Sequence, residues 1–115
     1  GKAAIGGASL GFDHTAVIAD GRLLMFGKNN CGQCAQPCSG QRNDKAPPNM
    51  REDLRLPRPA AGLPNCLRAK SVSCGGAHTL ALMEDGSVWS CGDHSGGQCG
   101  QGPGAPKCIN AFRSI

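Results

Sequence analysis

An all-β chain built from two copies of one hairpin unit is what this sequence predicts, on three observations. The first is an internal repeat: residues 74–102 (CGGAHTLALMEDGSVWSCGDHSGGQCGQG) follow the order of residues 10–36 (LGFDHTAVIADGRLLMFGKNNCGQCAQ). His14-Thr15 matches His78-Thr79 at an offset of 64. Asp20-Gly21 matches Asp85-Gly86, Gly27 matches Gly92, and Gly32-Gln33-Cys34 matches Gly97-Gln98-Cys99, all at 65, so one residue, Glu84, is added before the second turn. A repeat of this kind decides architecture before local propensity does. The second observation is the Asp-Gly between short apolar runs in each copy, where Gly21 and Gly86 accept the positive φ of a strand-reversing turn. The third is composition: 18 glycines with only three Phe, one Trp and no Tyr suit a loop-rich β protein and oppose a helical bundle.

Gly-x-x-His-Thr, a short apolar run, Asp-Gly, a strand ending in Gly and then Gly-Gln together resemble the regulator of chromosome condensation repeat. The resemblance covers roughly residues 5–36 and 57–102. It implies two antiparallel four-stranded blades of an incomplete β-propeller, normally one of seven blades. Within it, His14, His78, Gly21, Gly86, Gln33 and Gln98 are structural repeat positions. The family includes exchange factors for a small GTPase, ubiquitin ligase modules, a plant UV-B photoreceptor and a secreted β-lactamase inhibitor, so a shared propeller licenses no single activity.

Taken in order, residues 1–36 form a first, partial repeat. Residues 1–10 read as a strand, with Ala8 and Leu10 in the places of Val72 and Cys74. Thr15–Ala19 and Arg22–Phe26 form the first hairpin, and the continuous apolar run Leu23, Leu24, Met25, Phe26 suits a strand covered on both faces. Residues 37–56 read as a Pro-rich basic insertion on the propeller rim; six of the eight prolines fall between 37 and 64, and proline lacks the N–H that a ladder needs. Inside it, Asn49 and Glu52 resemble a capping box for two turns of helix. Residues 57–102 are the second repeat, with 56–61 as the first strand of its blade, Leu67–Cys74 as the next and the 79–89 hairpin following. Residues 103–115 would start a further blade or form a tail. Two blades cannot close a propeller of about four to eight, and open flanks are a liability. The chain is therefore expected to be a stretch of something longer, or to borrow its missing surface from a partner or another copy.

The net charge of +4 sits wholly on residues 41–70, which carry seven basic and three acidic side chains. Charge on a proline-rich loop is ordinarily a solvated face. The sharper alternative is a docking arm for a protein partner or an anionic surface, with Arg42, Lys45, Arg51, Arg55 and Arg58 as candidates. Without interleaved aromatics, nucleic acid is disfavoured. No apolar run approaches the roughly 20 residues of a membrane span.

His14 and His78, each before a Thr, read as blade-corner residues bonding nearby backbone, because a repeated His serves the repeat. His94 reads as a solvated loop residue. Among eight cysteines, Cys34, Cys74, Cys91 and Cys99 read as small buried hydrophobes, whereas Cys31, Cys38, Cys66 and Cys108 do not. Cys31-Gly-Gln-Cys34 lacks the βαβ context of a thioredoxin-like pair. Cys31, Cys34 and Cys38 supply three thiolates at zinc spacing, with Cys66 or Cys108 as a fourth. Disulfides are an equal alternative, and eight cysteines allow 105 pairings. The compartment stays open.

No paired-carboxylate site, activated nucleophile or phosphate loop is evident, and the Gly-rich stretches lead into strands, not helix N-termini. The leading expectation is a non-enzymatic protein–protein interaction or scaffold module without a cofactor, contributing to a larger propeller or a multisubunit assembly. Two alternatives remain: a fragment of a guanine-nucleotide exchange factor for a small GTPase, and a disulfide-stabilised lumenal or secreted binding module. The photoreceptor reading is disfavoured, because Phe12-Asp13 and Gly76-Ala77 stand where its Trp and Arg belong.

Overall fold

The two Asp-Gly turns set the strand registers from which everything else follows. The computed structural model describes residues 4–36 and 54–115, apart from the side chains of residues 54 and 55. Eight strands run in chain order: β1 (Ile5–Leu10), β2 (His14–Ala19), β3 (Arg22–Gly27), β4 (Leu54–Pro59), β5 (Ala69–Cys74), β6 (His78–Met83), β7 (Val88–Asp93) and β8 (Cys108–Ser114). They make two antiparallel four-stranded sheets, β1-β2-β3-β4 and β5-β6-β7-β8, as the repeat predicts.

The first hairpin turns in two residues, Asp20 and Gly21, both with positive φ (51° and 77°) and with Ala19 paired to Arg22. That is the primed geometry whose twist suits a hairpin. The second copy takes three, Glu84 to Gly86, closed by Met83 N–H to the Ser87 carbonyl and Gly86 N–H to the Met83 carbonyl. Only Gly86 has positive φ there, so the added Glu84 converts one turn type into another and accounts for the change of offset.

The blade boundary differs from the sequence expectation. Residues 54–59 are the fourth strand of the first sheet, pairing with β3 through Leu24–Pro59 and Met25–Arg58, not the first strand of the second. Pro57 and Pro59 do lie on an edge strand, where a missing N–H costs no ladder bond. Likewise, β8 is the fourth strand of the second sheet, pairing with β7 through Asp93–Cys108 and Ser90–Arg113. The sequence repeat and the sheet are thus out of phase by one strand. The capping-box residues Asn49 and Glu52 lie outside the described residues.

The core is one cluster between the sheets. Ala16, Ile18, Leu23 and Met25 come from the first sheet, and Ala69, Ala81, Met83 and Cys91 from the second, with Phe112 and Ile109 closing it from β8. Burial of such side chains is worth about 1.5–3 kcal/mol each. Burial alternates along β2 starting from a buried His14, and along β6 starting from a half-buried His78. Equivalent residues therefore have opposite fates: one face of the first sheet meets the other face of the second.

Candidate functional site

A polar cluster that carries the repeat across the two sheets centres on His14. Its ring is 2 % exposed, and Nε2 lies 2.8 Å from Thr79 Oγ1 in the other sheet. Thr79 Oγ1 donates at 2.9 Å to the Gln33 carbonyl, which belongs to the corner after β3. A hydroxyl has one proton, and a carbonyl can only accept. Nε2 therefore carries the imidazole proton and donates to Thr79, which leaves Nδ1 as a buried atom with no hydrogen-bond partner. Burial holds the His14 pKa below the ordinary 6.5, with the nearby His78 main chain opposing the shift. Cys91 Sγ makes a long contact of 3.6 Å to the same Gln33 carbonyl, and burial pushes its thiol well up.

Glycine makes room for these rings. A Cβ on Gly11 would lie 2.3 Å from the His14 ring, and one on Gly75 would lie 2.1 Å from that of His78. Beside this cluster, Cys74 N–H donates to Ser9 Oγ at 3.0 Å, again from one sheet to the other.

The corner at 28–36 docks onto the second sheet. Its Gly32 (φ +81°) sits so close to β8 that a Cβ would lie 2.5 Å from the Ile109 carbonyl oxygen. Gln33 folds back on its own loop, accepting from Cys31 N–H at 2.9 Å and donating to Asn30 at 3.0 Å. Gln98 does the same in the second corner, accepting from Gly96 N–H and donating to Asp93. Asn29 Oδ1 accepts from Cys34 N–H at 3.0 Å while its Nδ2 donates to the Gln36 carbonyl.

His94 takes the place of Asn29 in the second corner. It is 8 % exposed, not solvated as expected. Its Nδ1 accepts from Cys99 N–H at 3.2 Å, so Nε2 donates to the Gly102 carbonyl at 3.0 Å. Asn29 and His94 differ in residue type, which hides their equivalence in the sequence, although their offset of 65 is that of Cys34 and Cys99.

The cysteines sort differently from the zinc expectation. Cys31 is disulfide-bonded to Cys108, 77 residues away, and a sulfur in that bond offers no thiolate to a metal. Cys34 is buried in the corner, and Cys38 lies outside the described residues. Among the described residues, no group of three His, Cys, Asp or Glu is gathered as a metal site. Cys66 is an exposed thiol, and Cys91 and Cys99 are buried ones. Of the basic candidates, Arg42, Lys45 and Arg51 lie outside the described residues, as does the side chain of Arg55; Arg58 is exposed on the edge strand β4. No helix among the described residues is long and apolar enough to cross a membrane.

Residues 20–82 match the family model of the regulator of chromosome condensation (RCC1) repeat, and residues 69–101 match a second model of the same repeat. The chain belongs to the RCC1 repeat family. Human E3 ubiquitin-protein ligase HERC2 is 36 % identical over 106 residues, spanning 87 % of this chain and 2 % of that protein. The Bos taurus secretion-regulating guanine nucleotide exchange factor is 32 % identical over 100 residues, 86 % of this chain and 19 % of its own length. The X-linked retinitis pigmentosa GTPase regulator of Canis lupus familiaris is 33 % identical over 95 residues, 82 % and 8 %. The chain thus spans a small part of each of these RCC1-repeat relatives. Among solved structures, human WBSCR16 superposes with a TM-score of 0.76 at 22 % identity, covering 98 % of this chain and 26 % of that one. Prp20p of Saccharomyces cerevisiae gives 0.76 at 20 %, covering 94 % and 26 %. At that identity the likeness is one of fold: the two sheets are blades of an RCC1-type propeller.

Proposed function

We propose that this chain is a non-enzymatic interaction module, a pair of propeller blades whose two outer faces accept further blades and whose basic rim docks a protein partner. The observation that carries this is the unequal state of equivalent residues. The inner joint uses His14 and the Gln33 carbonyl from one sheet and Thr79 from the other. The counterparts Thr15 and His78 stand half-buried on the two outer faces, and Leu10, the counterpart of Cys74, is 74 % exposed. The outer faces therefore carry the two halves of a second joint of the same kind. Each half fits a blade that brings the other: a His and a corner carbonyl toward Thr15, or a Thr toward His78. Arg58 on β4, with Arg68 and Lys70, is an exposed and described part of the basic stretch 41–70, which would meet an acidic protein surface.

Photo-crosslinking groups at Thr15 and Leu80, introduced into the protein as expressed in its source, test the blade-accepting faces. Both positions should capture propeller-blade peptides, and a control group at Asp85 on the hairpin tip should capture none. A monomer in which neither face crosslinks would refute the reading.

A second reading follows from the relatives. One is named as a secretion-regulating guanine nucleotide exchange factor and another as a GTPase regulator. Prp20p is described with its binding to Gsp1p and histones. Regulation of a small GTPase by the assembled propeller is the corresponding proposal here. Nucleotide release from candidate GTPases, with and without the intact protein, separates it from a purely scaffolding role.

A further inference from the structure

The Cys31–Cys108 bond joins elements that the repeat alone would leave unlinked. Cys31 lies in the corner after β3 of the first sheet, and Cys108 begins β8 of the second. Both residues are half-buried, so a small reductant can reach them. The bond adjoins the place where Gly32 meets the Ile109 and Asn110 backbone. The same corner presents the Gln33 carbonyl to Thr79 and Cys91. A change at Cys31 therefore acts on the whole polar joint. Nothing in the repeat demands the bond: the counterpart of Cys31 is Gly96, and Gly97, the counterpart of Gly32, has open space where a Cβ would be. The other cysteines at the joint, Cys74 and Cys91, are half-buried and buried, and burial pushes their thiols up, away from the reactive thiolate.

We propose that the Cys31–Cys108 disulfide is a reversible redox latch on the joint between the two blades. In the closed state the corner is fixed on β8. A dithiol reductant opens it by exchange. One reductant thiolate attacks a sulfur of the pair, the Cys31–Cys108 S–S bond breaks, and a mixed disulfide forms while the other cysteine leaves as a thiolate and takes a proton. The second reductant thiol then displaces the mixed disulfide. Two electrons pass to the pair, which becomes two thiols, and the reductant becomes a disulfide. The opened corner is no longer held on β8, so its own loop bonds, such as Ala35 N–H to the Gly32 carbonyl, open more often.

The test uses the full chain carrying Cys66→Ser, which removes the exposed free thiol among the described residues as an exchange partner. Peptide mapping after equilibration with oxidised glutathione should find the Cys31–Cys108 link. Its absence overturns the proposal. Dithiothreitol should then raise amide hydrogen exchange at Cys34 and Ala35 at least tenfold more than at Ala16 and Met25 in the sheet, and speed trypsin cleavage after the exposed Lys28. Reoxidation should restore the slow exchange. Cys108→Ser should exchange fast in both conditions and ignore dithiothreitol. Unchanged exchange at 34 and 35 in a chain whose mass shows the bond reduced would overturn the latch. So would an equal rise in exchange throughout both sheets on reduction, since that describes a structural staple instead.

Discussion

The corner after β3 and the corner after β7 have nearly the same residues and quite different surroundings. In the first, Gln33 is buried and Gly32 lies against the backbone of β8; in the second, Gln98 is exposed and Gly97 meets nothing. Both glutamines still fold back on their own loops. The loop is therefore a local structure that forms without help, and the joint is a second use of it. What the repeat conserves is the shape of the corner; what the neighbouring sheet adds is a set of contacts on its outside. The same division runs along β2 and β6, where equivalent side chains alternate between buried and half-buried in opposite phase.

Substitutions made in pairs at equivalent positions isolate that added part. The largest difference belongs to the glycines. Gly32→Ala places a Cβ against the Ile109 carbonyl in addition to an unfavourable φ, for a loss of about 3–5 kcal/mol, whereas Gly97→Ala carries only the φ cost of about 1–2 kcal/mol. Urea unfolding of the two variants reads the gap, and equal losses would mean that the first corner is not seated on β8. Next comes the covalent link. A disulfide closing a long loop commonly contributes about 2–4 kcal/mol; Cys108→Ser should lose that much under oxidising conditions and nothing further when the parent is also reduced.

The histidines follow. His14→Ala removes a buried ring and leaves Thr79 without its donor, a loss of about 2–3 kcal/mol, while the half-buried His78 should give up less than about 1 kcal/mol on the same change. Thermal melts of the two variants give the order directly. A smaller effect is expected from pH. The folded His14 pKa lies below the unfolded value of 6.5, so between those two values the unfolded chain binds more protons and stability falls with acidification. The contribution of neutral His14 is fully present above about pH 6.5 and is lost as pH drops toward the folded pKa. His14→Gln should flatten that part of a stability profile, and an unchanged slope would show that other groups set it.

Much of this was legible from the residues. The offsets of 64 and 65 located both hairpins and both corners, and the Asp-Gly pairs fixed where the strands reverse. Those signals are local. Which sheet residues 54–59 would join was not, because the segment lies after a long proline-rich stretch and its pairing is settled by geometry; Pro57 and Pro59 revealed an edge strand without saying whose edge. The link from Cys31 to Cys108 was hidden for a similar reason, since spacing along the chain carries no information about proximity across two sheets. His94 was misread because its counterpart is an asparagine. Both can accept from a main-chain N–H and donate to a carbonyl, an equivalence of chemistry rather than of residue type.

The most direct test of the joint is a pair of double-mutant cycles in this chain at low concentration: His14→Ala with Thr79→Val, and His78→Ala with Thr15→Val. The first pair should couple by about 1–2 kcal/mol, as contacting groups in one network do, and the second by less than about 0.5 kcal/mol. Equal coupling in the two pairs, or none in the first, would contradict the claim that the front of one sheet is bolted to the back of the next through the His14–Thr79–Gln33 cluster.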